Sequence, residues 1–407
     1  MRFYLHLVCS VCLLALPPSF VRVSTAHPGA RETLPKAASL NGESASGLSQ
    51  SECGSIQTSA MPSKVQMVVV QNYKNAKDVL LPIKTVGTRL LKAAGVEVID
   101  TPAAERSDVI RINVEGDALG ANYSPMGYCY SGARISGSIR LESSSSPAAE
   151  ALFSKTQDPL LRVFACSGAS DAPFDSTFYS SEFVEKLERL LAARYTGISR
   201  FCFWMAALKE QSRELRAAAV RGLSKTDPAR AVNVLVNVLQ TDNQYWDVRE
   251  ATVEALSGIG RPAVEGLMPL LRSKDEPTRR LAAQTLGKIA DERSRQSLTD
   301  ALKDQSRLVQ VWVTFALVRL GDAQRFTVLK AGLADSDHNF QEHSALALAE
   351  IRSAEAIDAL IDSLRSNYSG SPMERALAKI TGKDFKNNRD KWSEWWGANK
   401  EAFINKR

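Results

Sequence analysis

The sequence predicts an α+β domain followed by an all-α superhelical array, a solenoid of stacked helix pairs. Three observations carry that reading. A cassette of the form Arg-x-x-Ala-x-x-x-Leu-x-x-Ile recurs with slippage, placing its leucine at Leu223, Leu256, Leu286, Leu317, Leu348 and Leu377. The steps of 33, 30, 31, 31 and 29 residues match one helix–turn–helix unit, which cannot bury its apolar face alone and stacks on its neighbours. Ahead of the repeats, apolar and polar residues alternate at the period of a strand. A chain of 407 residues with 44% hydrophobic content is also too long for one core, so two or three folded units are expected.

Residues 1–26 read as an export signal. Arg2 gives a positive start, and Leu7 to Leu16 is an apolar run too short to span a bilayer. Ser24, Thr25 and Ala26 supply the small residues of a cleavage site, expected after Ala26. Cys9 and Cys12 fall inside this run, preceded by Val8 and Val11 rather than by the small residue that lipoprotein processing needs. No later segment has the length of a membrane span, so the mature chain is expected to be exported without a transmembrane segment, periplasmic or secreted if bacterial. Residues 27–64 are rich in Ser, Ala, Gly and Pro without any period. They cannot bury enough apolar surface to offset ordering and read as a flexible linker.

Residues 65–198 form the α+β domain. Val65 to Val70 is a strand, Ile83 to Ala94 a helix through Val86, Leu90 and Leu91 that Gly95 can stop, and Val96 to Ile99 a second strand. Val109 to Val114 alternates cleanly. Tyr128 to Leu141 reads as one long half-buried strand with Ala133, Ile135, Gly137, Ile139 and Leu141 on one face. Gly137 marks a bulge or a close backbone approach. Ala151 to Phe153 and Leu160 to Cys166 are further strands, with Ser143 to Ser146 as a polar turn, and Phe183 to Ala193 closes with a helix through Val184, Leu187, Leu190 and Leu191. The run of consecutive strands implies a mostly antiparallel sheet with helices on one side. Beyond the signal lie Cys53, Cys129, Cys166 and Cys202. In an oxidising compartment they allow three pairings. Cys129 with Cys166 is the expected one, since both sit in strands of one domain, with free buried thiols as the alternative.

In the array, Asp227 caps a helix whose first turn holds Pro228. Ala231 to Leu239 is apolar on most faces, as a helix between neighbours must be. Val248 to Ile259 follows, with Gly260 placed to accept a left-handed cap and Pro262 to open the next helix. The punctuation returns at Pro277, Gly321 and Pro372. Val248 to Gly260, Thr278 to Ile289 and Ser344 to Ile351 resemble HEAT repeats of the short bacterial, lyase-associated type, of the form Val-Arg-x-x-Ala-Ala-x-Ala-Leu-Gly-x-Ile-Gly. The resemblance implies a HEAT-like α-α superhelix over 199–385, closed by a Trp-rich cap over 386–407 that includes Trp392, Trp395 and Trp396. The family's recurring arginine matches Arg216, Arg249 and Arg279; Gln310 and Gln341 stand in that place later, which interrupts the expected Asp–Arg ladder.

The sequence offers no recognisable catalytic set. The net charge of +6 is spread among interleaved acids and bases, unlike the concentrated patch of a nucleic-acid binder. Gly116, Gly120 and Gly127 lack the helix start and Lys-Ser/Thr of a phosphate loop. Asp108, Glu115 and Asp117 read as flanks of a strand and turn. His338 and His343 are five apart, not the i, i+4 spacing of a one-face metal pair. The functional expectation is therefore an exported, non-enzymatic scaffold or adaptor, without cofactor, metal or nucleic acid, that binds a protein or peptide partner. Trp246, Arg249, Arg279, Arg280 and Trp312 are the candidate partner-binding residues. The competing expectation is an enzyme or envelope-assembly factor with its site in 65–198, in a cleft lined by Asp108, Arg111 or Glu115, and the repeats as accessory.

Overall fold

The computed structural model describes residues 53, 64–74, 81–100, 108–119, 122–124, 127–130, 132–143, 147–157, 165–166, 178–179, 182–195, 197–242, 245–364 and 370–405. Internal contacts divide the chain into two units, Met1–Ser44 and Ala45–Arg407, and all described residues belong to the second. The expected signal, and all of the expected linker except Cys53 and Lys64, lie outside them.

The N-terminal part is a five-stranded mixed sheet. Its strands are β1 (Val65–Lys74), β2 (Val98–Ile99), β3 (Asp108–Leu119), β6 (Gly132–Glu142) and β7 (Ala149–Gln157), in the spatial order β2-β1-β3-β6-β7. β1 runs parallel to β2 and β3, whereas β3–β6 and β6–β7 are antiparallel. Half of the pairings are thus parallel, correcting the expected mostly antiparallel sheet. The helix α1 (Ile83–Ala93) carries the chain back across the sheet between β1 and β2, the crossover that parallel neighbours require. A second correction concerns the strand expected over Tyr128 to Leu141. β5 (Gly127–Tyr130) belongs to a separate three-stranded sheet with β4 (Asn122–Ser124) and β8 (Ala165–Cys166). The clean apolar alternation that ties a strand to one face starts only at Ala133, and the chain upstream pairs elsewhere.

One face of the five-stranded sheet is core. Met67, Ile110, Ile112, Val114, Ile135, Ile139 and Phe153 are buried there, and α1 and α2 (Phe183–Arg194) pack against strands of this sheet. The alternate side chains Asn113, Glu115, Arg134, Ser136 and Arg140 are exposed. At Gly137 the register is continuous on both sides, so there is no bulge. A Cβ there would lie 2.2 Å from the Asn113 carbonyl oxygen and 2.5 Å from Phe153 Cζ, the close approach that only glycine permits.

α3 (Arg200–Ala207) ties the sheet to the array. It packs against α1, and the Ser199 N–H that precedes it donates to the Ala94 carbonyl at 3.0 Å. Cys202 on α3 is joined to Cys53 by a disulfide, with Cα atoms 5.6 Å apart and a separation of 149 positions in sequence.

From here helices alternate between two rows. The first row is α4 (Arg213–Thr226), α6 (Trp246–Ile259), α8 (Glu276–Ile289), α10 (Arg307–Arg319), α12 (His338–Ile351) and α14 (Pro372–Thr381), each packed on the next. The second row is α5 (Pro228–Thr241), the short α7 (Val264–Leu267), α9 (Arg295–Ala301) and α11 (Phe326–Gly332), each opened by a 3-10 turn, and α13 (Ala354–Asp362). The six period leucines all lie on the first row and are at most 2% exposed, so the repeat is a repeat of buried knobs. Ser212, Asp275, Ser306, Asp337 and Ser371 each cap a first-row helix by accepting a backbone N–H. α6, α8, α12 and α14 then end on the positive-φ residues Gly260, Ala290, Arg352 and Gly382, and Gly321 just beyond α10 is also positive. α15 (Arg389–Asn405) lies on α13 and buries Trp392 and Trp396 over the last repeat. The Trp396 indole N–H donates to Asp358 at 2.7 Å, and Trp392 to the Lys386 carbonyl at 2.8 Å.

The first row is tight and curved. A Cβ on Gly287 of α8 would fall 2.5 Å from Phe315 Cε1 and 2.9 Å from the Ala316 Cα of α10. Lys288 of α8 contacts Glu254 of α6 and also Glu350 of α12, at 3.2 Å, past the intervening α10. Helices in a flat row stand about 8–10 Å apart, so α8 and α12 would be too distant for that pair. The row therefore bends, and these side chains line the inside of the bend.

Candidate binding face on the first helix row

The arginines of the first row do two different jobs. Arg216 pairs with Asp242, Arg249 with Asp275 at 3.0 Å, and Arg279 with both carboxylate oxygens of Asp304, at 2.7 and 3.0 Å. Arg249, 4% exposed, also donates to the Leu239 carbonyl and the Thr278 hydroxyl, both within 2.8 Å. Arg216 and Arg279 thus tie their own first-row helix to the end of the second-row segment that follows it, and Arg249 ties the end of α5 to the start of α8. Gln310 and Gln341 keep part of this task, donating to the Asp304 and Leu333 carbonyls. The acid of the next rung, Asp335, is taken by Arg307, one helical turn before Gln310. The ladder expected to break at Gln310 is therefore remade from a different position. Two of the candidate partner-binding residues, Arg249 and Arg279, are fully engaged in this ladder.

Trp246 and Arg280 form the second kind of arrangement. Trp246 opens α6 and is 51% exposed. The Arg280 guanidinium of α8 lies 4.8 Å from its ring centroid, a cation–π contact between consecutive repeats. Arg280 is only 7% exposed. Its Nε is sealed from solvent with no acceptor, and Glu276, one turn earlier, stands 3.8 Å away, beyond hydrogen-bond reach. Burial pulls the guanidinium below the usual arginine range, with Glu276 opposing and Arg249 adding to the shift. Glu276 in turn accepts from the Ser306 hydroxyl at 3.2 Å.

Trp312 of α10 is buried, and its indole N–H donates to His343 Nδ1 of α12 at 3.1 Å. Burial first, and the charge of Arg280 second, push the His343 imidazole down to about 4, against Glu342. At neutral pH the ring is uncharged, and since Nδ1 accepts, the proton sits on Nε2. Trp246–Arg280 and Trp312–His343 are thus two pairs on four successive first-row helices, linked by the charge of Arg280 acting on His343. Sequence reading missed His343 as a member of the second pair because its partner lies one repeat away rather than on its own helix.

The other sequence candidates do not converge. β5 and β8 place Cys129 opposite Cys166 in register; their side chains lie outside the described residues. Asp108 is buried and accepts from the Tyr195 hydroxyl at 2.7 Å, with Arg194 at 3.7 Å. Burial, then this bond, raises the Tyr195 hydroxyl far above its usual range. Arg111 pairs with Glu142 at 3.4 Å, and it shares with Glu115 the face of β3 opposite Asp108. A hollow of about 590 Å³ on the sheet is lined by Ser136, Leu152, Ser154, Lys155, Glu182 and Lys186, and by none of those three. Its Lys186 is occupied by the Leu152 carbonyl at 2.7 Å. Among the described residues no group of three or more His, Cys, Asp or Glu could hold a metal ion, and no helix is long and apolar enough to cross a membrane.

A family model described as HEAT repeats matches residues 203–264, 244–317 and 296–378. No curated protein matches the sequence. Similar solved structures include the CpcE–CpcF complex of phycocyanin lyase from Nostoc sp. PCC7120, at 22% identity over 44% of this chain and 85% of that one, TM-score 0.29. A HEAT-like repeats protein from the archaeon Thermococcus onnurineus NA1 is 13% identical over 51% of this chain and 96% of that one, TM-score 0.27. Human deoxyhypusine hydroxylase in complex with glycerol is 20% identical over 52% of this chain and 100% of that one, TM-score 0.24. Residues 203–378, the array of stacked hairpins, are HEAT repeats.

Proposed function

We propose that this chain is an exported, non-enzymatic scaffold that holds a protein or peptide partner on the first-row face of its HEAT array. The observation that carries the reading is Trp246, a large aromatic side chain left 51% exposed while stacked on a buried arginine. Exposed aromatic–arginine pairs on a rigid frame are typical of binding hot spots. Export is supported by the signal-like start of the sequence and by the Cys53–Cys202 disulfide, since such bridges persist in oxidising compartments. The sheet domain, joined to the array through α3, serves as its rigid base. The test places a photo-crosslinking benzoylphenylalanine at position 246 in the full chain in its native host, and in parallel at Lys330 on the second row. A specific adduct from position 246 alone is expected. Adducts from position 330, with none from 246, would overturn the reading.

A further inference from the structure

Arg280 on the first row is buried, yet among the described residues it is held only by the Trp246 ring and a long 3.8 Å ion pair to Glu276 of its own helix. Arg216, Arg249, Arg279 and Arg307 each end on a carboxylate of a neighbouring repeat. Arg280 does not. A guanidinium carries five N–H donors; the Nε of Arg280 is sealed from solvent without an acceptor, as is that of Arg216, but Arg216 also has the carboxylate of Asp242 on its Nη2, whereas the carboxylate nearest Arg280 stands at 3.8 Å. Keeping a guanidinium buried with so little hydrogen bonding is destabilising, and a carboxylate that reached its terminal nitrogens from outside the chain would offset that cost.

The surroundings restrict what such an outside group can be. The Trp246 ring covers the guanidinium on one side and is itself half in solvent. The neutral His343 offers an N–H, not an acceptor. Asp247 and Glu250 are exposed on the first turn of α6 next to Trp246, Asp247 with Arg213 at 3.7 Å, and this acidic edge disfavours a polyphosphate backbone. It still admits one carboxylate, which a guanidinium binds through two parallel hydrogen bonds. Resting on the partner-binding reading above, we infer that Arg280 and Trp246 anchor a single carboxylate of a protein partner, from an Asp or Glu side chain or from the partner's C-terminus.

The test measures fluorescence anisotropy of labelled tetrapeptides with the full chain. The probes are an end-blocked Gly-Glu-Glu-Gly, its Gly-Gln-Gln-Gly counterpart, and Gly-Gln-Gln-Gly with a free C-terminal carboxylate. At least one carboxylate probe should bind tenfold or more tightly than the blocked glutamine probe, and which one does so identifies the source. Arg280→Met should bring all three within about twofold of each other, Arg280→Lys should retain part of the preference, and Trp246→Ala should weaken the preferred probe about three- to tenfold. The thermal midpoint of Arg280→Met should equal or exceed that of the parent, because an apolar side chain replaces a buried cation with little hydrogen bonding. Equal binding of all probes to the parent would overturn the inference. So would competition by inorganic phosphate as strong as by the carboxylate, or an Arg280→Met chain that keeps its carboxylate preference. The two readings fail separately: a position-246 adduct that persists in Arg280→Met leaves the scaffold standing and removes the carboxylate, whereas its absence in the parent removes the scaffold.

Discussion

Replacing Gly287 with alanine tests the layered packing directly, because the same substitution at Gly258 should have the opposite sign. Both glycines sit inside first-row helices, where alanine is ordinarily favoured by about 1 kcal/mol. At Gly258 a new Cβ meets nothing within 4 Å, so Gly258→Ala should raise stability by about 0.5–1 kcal/mol. At Gly287 the Cβ falls 2.5 Å from the buried Phe315 ring and 2.9 Å from the Ala316 Cα. The ring is locked in the core and the Cα cannot swing aside, so the helices must separate. Overpacking of this kind costs about 1–3 kcal/mol, and a backbone contact belongs at the upper end. Set against the helix gain of about 1 kcal/mol, Gly287→Ala should lose about 2 kcal/mol, some 3 kcal/mol below its control. Urea unfolding of the two variants at constant m reads that gap as a difference in midpoint. Equal midpoints would refute the close approach of α8 and α10.

Three further outcomes are expected. Ala290 holds a left-handed conformation at the end of α8, which costs a residue with a Cβ about 1–2 kcal/mol; Ala290→Gly should therefore gain about 0.5–1 kcal/mol after its larger unfolded-state entropy, measured by urea midpoint. His343 is depressed to about 4 in the fold against an ordinary 6.5, so the unfolded chain binds more protons between those values. Its contribution is fully present above pH 6.5 and is lost as the pH falls towards 4; in His343→Asn the pH–stability curve should be flatter in that window, and an unchanged slope would contradict the assignment. Reducing the Cys53–Cys202 bridge frees a loop spanning 149 positions, for which chain entropy gives about 5 kcal/mol; urea unfolding with and without reductant, and of Cys53→Ser, should show a loss on the order of 4 kcal/mol.

The array was legible because its signal is periodic. Leu223 to Leu377 recur at the length of one helix pair, and each of the six leucines is buried where that period puts it. The first three ladder arginines followed from the same cassette. Arg307 did not, since it reaches Asp335 from one turn before the motif position, a shift that helix geometry allows and a fixed motif hides. The Trp312–His343 pair is 31 residues apart, the same step as Leu317 to Leu348, so the period itself marks neighbours that spacing within one helix cannot reveal. Trp246 and Arg280 were singled out as types without any sign of their contact. In the sheet domain, alternation located strands but carried no information on parallel pairing. That direction is set by the α1 crossover. Nor does any local pattern join Cys53 to Cys202, whose partners meet only because α3 docks beside the sheet.

The most direct test of the central claim, that stacked hairpins and not the sheet present the working surface, is hydrogen–deuterium exchange of the intact chain with and without its crosslinked partner. Protection should appear at the start of α6 around Trp246, along α8 around Arg280 and on α12 around His343. Protection confined to residues 65–157, with those three segments unchanged, would contradict it.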